Sequence, residues 1–333
     1  MMLQSLILSN MRGTLIYTFM KAFLMKDFIR RIALSLSTGY ILFYFSELLF
    51  WAKYRPDSMA PGELFCTYAV YSLLTFVFLS ILWTFRVQDI WGCILAGSIY
   101  GWLVEGVVVQ TMYEAFPLQI SWTGLAWHSL ISCVCGWYYV KKTLSQNNYR
   151  RTTMISLLIG LFYGFWAMNW WVEDQVIIPL GEFSLYVWSS SLLLIASYAV
   201  TDRIPVDSFH PSKIEQGIVY SILAFFFAAT IWVQPLALVI CPPLLLFTWY
   251  VLRRNRTSVS AENRSVSVIQ LVQGNTNRVQ YAILLGIPFM ATVWYGCALL
   301  LEIFFPTNIV VYVVMTPLGF ASYLLAVLTI LRR

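Results

Sequence analysis

Ten stretches of about twenty predominantly apolar residues divide this 333-residue chain, and little sequence lies between them. They cover 33–51, 64–84, 88–113, 123–140, 153–171, 183–201, 214–232, 236–252, 279–303 and 308–331. A helix of that length crosses the roughly 30 Å hydrocarbon layer of a bilayer. Inside that layer only a structure that satisfies its own backbone hydrogen bonds is stable. The expected fold class is therefore all-α, a polytopic transmembrane helical bundle of about ten spans. Composition agrees, with 60% hydrophobic and 11% charged residues and a mean hydropathy of +0.73. Soluble domains carry about a quarter charged residues. Only Val233, Gln234 and Pro235 separate the seventh and eighth spans, which makes that pair the least distinct.

The distribution of basic residues tests the count independently, because a missed span would scramble every later loop. With N- and C-termini cytoplasmic, all 21 Lys and Arg residues except Lys53 and Arg55 fall on the inner side. Nine of the 15 acids, Glu47, Asp57, Glu63, Glu105, Glu114, Glu173, Asp174, Glu182 and Glu302, lie at or toward the outer side. Orientation and anionic inner-leaflet lipid account for the net charge of +6, so no nucleic-acid partner is implied. The expected location is the plasma (inner) membrane, with membrane lipids as neighbours.

The span 88–113 and the one that follows it carry the most deeply placed ionisable residue. Glu105 lies about eight residues inside the first, roughly 12 Å from its outer end at the helical rise. His128 lies about one turn inside the second, on the same side, at a depth where the two can meet. Gly97, Gly101 and Glu105 recur every four residues and share one stripe of a helix. Small residues at that spacing admit a neighbouring helix closely, so Glu105 is expected to face protein, where a carboxyl at that depth is tolerated.

Four divisions are expected along the chain. Residues 1–32 read as a cytoplasmic interfacial amphipathic segment, and 33–252 as a membrane domain of eight spans. Residues 253–278 form a basic cytoplasmic loop, and 279–333 a final two-span hairpin. Within the membrane domain, Leu95, Gly97, Tyr100, Gly101 and Trp102 are echoed 63 residues later by Leu158, Gly160, Tyr163, Gly164 and Phe165. The hairpins 88–140 and 153–201 thus read as a duplication, or as chance similarity among aromatic, glycine-containing helices. Pro242 and Pro243 are expected to kink or break the eighth span. His210 falls in a polar inner loop and reads as solvated.

The chemical signatures of common membrane enzymes are missing. There is no HExxH, GxSxG or P-loop, and no Asp-rich pair for a diphosphate-bound magnesium ion. Two histidines on opposite sides of the bilayer supply neither paired haem ligands nor a diiron cluster. Six cysteines scattered through spans indicate neither a disulfide framework nor a thiol metal site. No metal or cofactor is expected. What remains is an acidic and aromatic concentration toward the outer leaflet. Glu105 and His128 are the candidate coupling or catalytic pair, and Glu47, Tyr113, Glu114, Trp122, Trp127, Trp170, Trp171, Glu173 and Asp174 are candidate pocket residues. An aromatic belt at the interface is the bland alternative for the tryptophans.

Three functions fit that pattern. The first is a proton-coupled transporter of a small cationic or amphipathic solute, with the pair at the bottom of an outward-facing aromatic pocket. The second is a membrane-embedded enzyme in which the pair acts as general acid and base on a lipidic substrate, assisted by Thr123 or Ser129. The third is a non-catalytic subunit or scaffold serving partner membrane subunits.

Overall fold

The computed structural model describes residues 25–53, 60–206, 209–258 and 267–333, and these form an all-α bundle without strands. We number its long helices α1 Met25–Trp51, α2 Pro61–Thr84, α3 Ile90–Val108, α4 Ile120–Tyr139, α5 Tyr149–Glu173, α6 Leu180–Arg203, α7 Lys213–Val233, α8 Ala237–Ser258, α9 Arg278–Leu300 and α10 Thr307–Leu331. Among the described residues, nine of these are long and apolar enough to cross a membrane, and α4 is the remaining long helix of the ten. The chain is an integral, multi-pass membrane protein. The seventh and eighth spans are separate helices, joined by a turn in which Ala237 N–H donates to the Gln234 carbonyl (3.0 Å).

Helix α4 is the centre of the fold, and α3 lies against it so closely that side chains are excluded. A Cβ at Gly101 would overlap the Gly124 carbonyl of α4, and at Gly97 it would stand 2.8 Å from Ser129 Oγ. Trp102 fills the space over Gly124 and donates its indole N–H to the Ile120 carbonyl (3.1 Å). Ser129 Oγ donates back to the Ile94 carbonyl of α3 (2.8 Å). The stripe of Gly97, Gly101 and Glu105 therefore faces α4, as its spacing predicts. On the other flanks, α10 sets Gly319 against Ser121 and Ala126, and α1 packs Phe45 against Gly136.

Burial falls steeply away from this centre. In α3, 83% of the most apolar stretch is buried, against 11% in α7, where Phe225 and Trp232 stand outside the bundle. Of the kink or break expected at Pro242 and Pro243, the break does not occur, and helix α8 continues through both. Both prolines lie in its second turn, past the four N–H groups that a helix start leaves free, so each removes one intrahelical hydrogen bond.

Other expectations are redrawn. Helix α1 begins at Met25, so residues 25–32 continue the first span; the rest of the interfacial segment assigned to 1–32 lies outside the described residues. The second glycine pair has a different partner from the first. Cβ atoms at Gly160 and Gly164 would meet the Ile287 and Ala291 carbonyls of α9, not the helix next in sequence, so the hairpins 88–140 and 153–201 pack differently. Of the loop 253–278, the first six residues extend α8, and 267–277 fold back onto the inner ends of other helices. Ser267 Oγ donates to the Leu82 carbonyl (3.0 Å) and Val268 N–H to that of Val87 (2.5 Å). Beside them Lys141 and Asp202 form a buried ion pair, and Asp202 Oδ2 also accepts from Thr276 (2.8 Å) and Tyr281 (2.7 Å). His210 is exposed, with its ring against Trp83 (4.5 Å).

The α3–α4 approach yields a test. Gly101→Ala should lower the apparent melting temperature of the detergent-solubilised protein, since overpacking costs about 1–3 kcal/mol. Gly217→Ala, on an exposed face of α7 with nothing within 4 Å, should leave it equal or higher. Equal behaviour of the two variants in a thermal melt would contradict the close approach.

Candidate functional site

Ser46, Glu47, Glu105, His128 and Ser132 of the central polar cluster stand on backbone that has left the α-helical register. Helix α1 is π-helical over Tyr44–Leu48, α3 over Val104–Val108, and α4 over Ile120–Tyr139. These turns carry Ser46 and Glu47, Glu105, and His128 with Ser132. A π turn is rare and recurs at functional sites. It also misaligns carbonyls, which must find donors elsewhere in an apolar medium. Here they do. Trp127 donates its indole N–H to the Phe45 carbonyl (3.0 Å); at the end of α1, Tyr163 and Tyr186 donate to Leu48 (3.0 and 3.2 Å), which also accepts from Ala52 N–H (3.1 Å), and Trp166 and Trp170 donate to Phe50, one of the carbonyls a helix end leaves free (2.6 and 3.2 Å). At the end of α3, Tyr113 donates to Gly106 (2.7 Å) and Thr230 to Val107 (2.7 Å).

The structure brings Glu105 and His128 together. His128 donates from Nε2 to Glu105 Oε1 across 2.6 Å, and the two residues are 2% and 7% exposed respectively. The second carboxylate oxygen accepts from Thr111 Oγ1. That contact depends on Gln110, whose left-handed backbone (φ 73°) turns the chain back over the end of α3. A non-glycine residue there costs about 1–3 kcal/mol, a strain that tends to be kept where the resulting geometry is used. Thr123 flanks the same carboxylate and donates to the Gln119 carbonyl (3.2 Å). Ser129 is engaged with α3 and takes no part in the cluster.

On its other side His128 reaches a pair of hydroxyls. Nδ1 lies 3.0 Å from Ser46 Oγ, which lies 2.9 Å from Ser132 Oγ, and Ser132 donates to the Trp127 carbonyl (3.3 Å). A neutral His128 with its proton on Nε2 accepts from Ser46, which in turn accepts from Ser132. A charged His128 donates from Nδ1 to Ser46, which then donates to Ser132, which donates to the carbonyl. Both protonation states leave every ring nitrogen and hydroxyl partnered, because serine hydroxyls rotate. Tyr71 and Tyr100 close over the imidazole (ring centroids 6.3 and 6.0 Å). Tyr71 also donates to Glu47 Oε1 (2.6 Å), whose partner oxygen accepts from Trp51 Nε1 (2.9 Å). Glu47 thus joins the cluster from α1. Among the described residues no group of three His, Cys, Asp or Glu is placed to hold a metal ion.

The remaining candidates divide. Trp122, Trp170 and Glu173 line an outer cleft of about 310 Å³, together with Phe50, Trp166, Asn169 and residues of α10. Neither Glu105 nor His128 lines it, so the pair is not at the bottom of the aromatic pocket. Consecutive residues of α4 point to different faces, and Trp127 turns toward Phe50 (4.8 Å) and Trp166 (4.9 Å) while His128 turns toward α1 and α3. Asp174 pairs with Lys53 at the rim, with the ammonium 5.1 Å from the Trp170 ring centre. Trp171 points away from the cleft and donates to Tyr295 (2.7 Å). Tyr113 is buried under α3, and Glu114 is exposed on the loop that follows.

Sequence reasoning missed Ser46, Thr111, Tyr71 and Ser132. Ser46 next to Glu47 in an apolar helix, and Thr111 six residues beyond Glu105, are the signals available for two of them. No protein-family model, curated protein or solved structure matches this chain.

The pairing is open to a thermodynamic test. Removing one partner of a buried pair strands the other, whereas replacing both by apolar groups relieves the penalty. Glu105→Leu and His128→Leu should each destabilise the protein more than the double substitution does, with a coupling of about 1–3 kcal/mol in a double-mutant cycle. Additive effects on melting would mean that the two side chains do not interact.

Proposed function

We propose that this chain is a proton-coupled transporter of a small cationic or amphipathic solute, acting in the plasma (inner) membrane. The observation that carries the reading is the hydrogen-bonded line Thr111, Glu105, His128, Ser46, Ser132, which stays fully partnered in two protonation states of one imidazole. The line meets the outer end of the bundle at Thr111 and ends internally at the Trp127 carbonyl. Nε2 already carries a proton bound to Glu105, so an added proton is held at Nδ1, where the Glu105 carboxylate across the ring balances its charge, and the two hydroxyls reverse their direction as Nδ1 becomes a donor. Nothing else needs to move for the charge to be accepted. Intramembrane carboxylate and histidine chains of this kind mark proton relays. A bistable donor–acceptor line on π-helical turns supplies the two-state element that coupling requires.

A second reading has one specific observation in its favour. In the neutral state Ser46, His128 and Glu105 stand in the order nucleophile, base and orienting carboxylate. That arrangement fits acyl transfer on a lipid substrate. Against it, Ser46 is buried at 3% exposure and is shared with Ser132, whereas proton movement needs only the hydrogen bonds. The transport reading is therefore preferred.

Purified protein in liposomes loaded with a pH-sensitive dye should move protons when an alkylammonium gradient is applied, and Glu105→Gln should reduce that movement at least tenfold. Proton movement unchanged by Glu105→Gln would sink the relay. Labelling of Ser46 by a fluorophosphonate, lost in Ser46→Ala, would favour the enzyme instead.

A further inference from the structure

We propose that the outer cleft is a binding site for an organic ammonium ion that carries at least one N–H, with its head held by Asn169 and Glu173. The inference rests on the transport reading for its role but not for its chemistry. Asn169 lines the cleft at 1% exposure, and its carbonyl oxygen has no hydrogen-bond partner. The orientation of the amide is set, because Nδ2 donates to Glu173 Oε2 (3.1 Å) and so leaves the oxygen as the unpaired atom. A buried acceptor without a donor is a site waiting for an N–H or O–H group.

The walls select for positive charge. Trp166 and Trp170 have both committed their indole N–H groups to the Phe50 carbonyl, so what they offer a ligand is the π-face. Phe50 and Trp122 complete the aromatic surface, with centroids 5.4 and 6.0 Å from that of Trp166. Aromatic faces and a carboxylate together attract cations. The protein already uses one ring this way, since the Lys53 ammonium stands over Trp170 with Asp174 as its counter-ion. Glu173 accepts from Asn169 through Oε2 and offers its other oxygen and its charge to the ligand. At about 310 Å³ the cleft lies at the small end of ligand sites, which suits a single-ring or short aliphatic amine. A quaternary ammonium would satisfy the rings and the carboxylate but not the Asn169 oxygen.

Calorimetric titration of the detergent-purified full chain with phenethylammonium, its trimethylammonium analogue and neutral 2-phenylethanol tests this directly. The primary amine should bind at least tenfold more tightly than either of the others. Asn169→Leu should abolish the preference over the quaternary ion, and Glu173→Gln, at an exposed position, should weaken both cations about tenfold. Equal binding of all three probes, or no binding, overturns the proposal. A preference over the quaternary ion that persists in Asn169→Leu also overturns it, because discrimination would then be steric. Should Asn169→Leu not fold, insensitivity of amine binding to Glu173→Gln is sufficient to reject it. The titration needs no gradient, so a protein that binds amines yet moves no protons refutes the transport reading and leaves this one standing.

Discussion

The structure depends on the contact between α3 and α4 at Gly101 and Gly124, where backbone meets backbone. In a bilayer no hydrophobic force drives helices together, so close packing and interhelical hydrogen bonds must hold them. Gly101 removes the side chain that would hold the two helices apart. Trp102, one residue on, then closes over Gly124 and satisfies the Ile120 carbonyl. Glu105 lies one turn further along the same stripe, and this approach delivers its carboxylate to His128. Had the helices been separated by ordinary side chains, a carboxyl at this depth would have lacked its partner, at a cost of several kcal/mol.

A second constraint follows from the π-helical turns. They place Ser46, Glu105 and His128 toward one another, and they also leave carbonyls that lipid cannot satisfy. Tryptophan and tyrosine supply the missing donors, which gives the many aromatic residues of α4, α5 and α6 a task beyond marking the interface. Phe45 and Gly106 in the π turns, and Leu48 and Phe50 at the end of α1, each have a carbonyl caught by a ring-borne N–H or O–H. Trp127, Trp166 and Tyr163 are therefore held by polar bonds as well as by packing, and their rigidity is imposed on the cluster they surround.

The sequence makes the spans legible because twenty apolar residues admit one reading, and the charge asymmetry of the loops repeats it. It also makes the meeting of Glu105 with His128 legible, since depth and side can be counted from the ends of two adjacent spans. The glycine stripe shows which face Glu105 presents. Ser46 could not be found this way, because its approach to His128 depends on a π turn in α1 that no periodicity announces. Nor could the separation of Trp127 from His128 into different compartments, which depends on the exact phase of α4. Lys141 reads as one more basic residue of an inner loop, yet it is buried against Asp202. That pairing joins helices 61 residues apart in sequence, and Thr276 of the returning segment 267–277 adds a bond to Asp202, long-range events with no local signature. The internal similarity of two hairpins was legible as letters, but the glycines of the second copy serve α9.

Two compartments separated by one residue of α4 constrain any coupling between them. Trp127 belongs to the aromatic wall behind the cleft, and His128 belongs to the polar line; a single peptide unit joins the two. Trp127 is fixed at its indole by the Phe45 carbonyl, and its own carbonyl is the terminus of the hydroxyl pair. When Ser132 turns its hydroxyl away from that carbonyl, as the neutral state of His128 requires, the acceptor is left to the helix alone. The backbone of α4 at Trp127 thus differs in its hydrogen bonding between the two protonation states. A solute pressed against the aromatic wall has differential affinity for those states only to the extent that it senses this change. By linkage the protonation of His128 then alters solute affinity by the same factor. Under the proposed transport function, coupling needs no long pathway: it is exerted across one residue, between a tryptophan ring and the carbonyl of the same tryptophan.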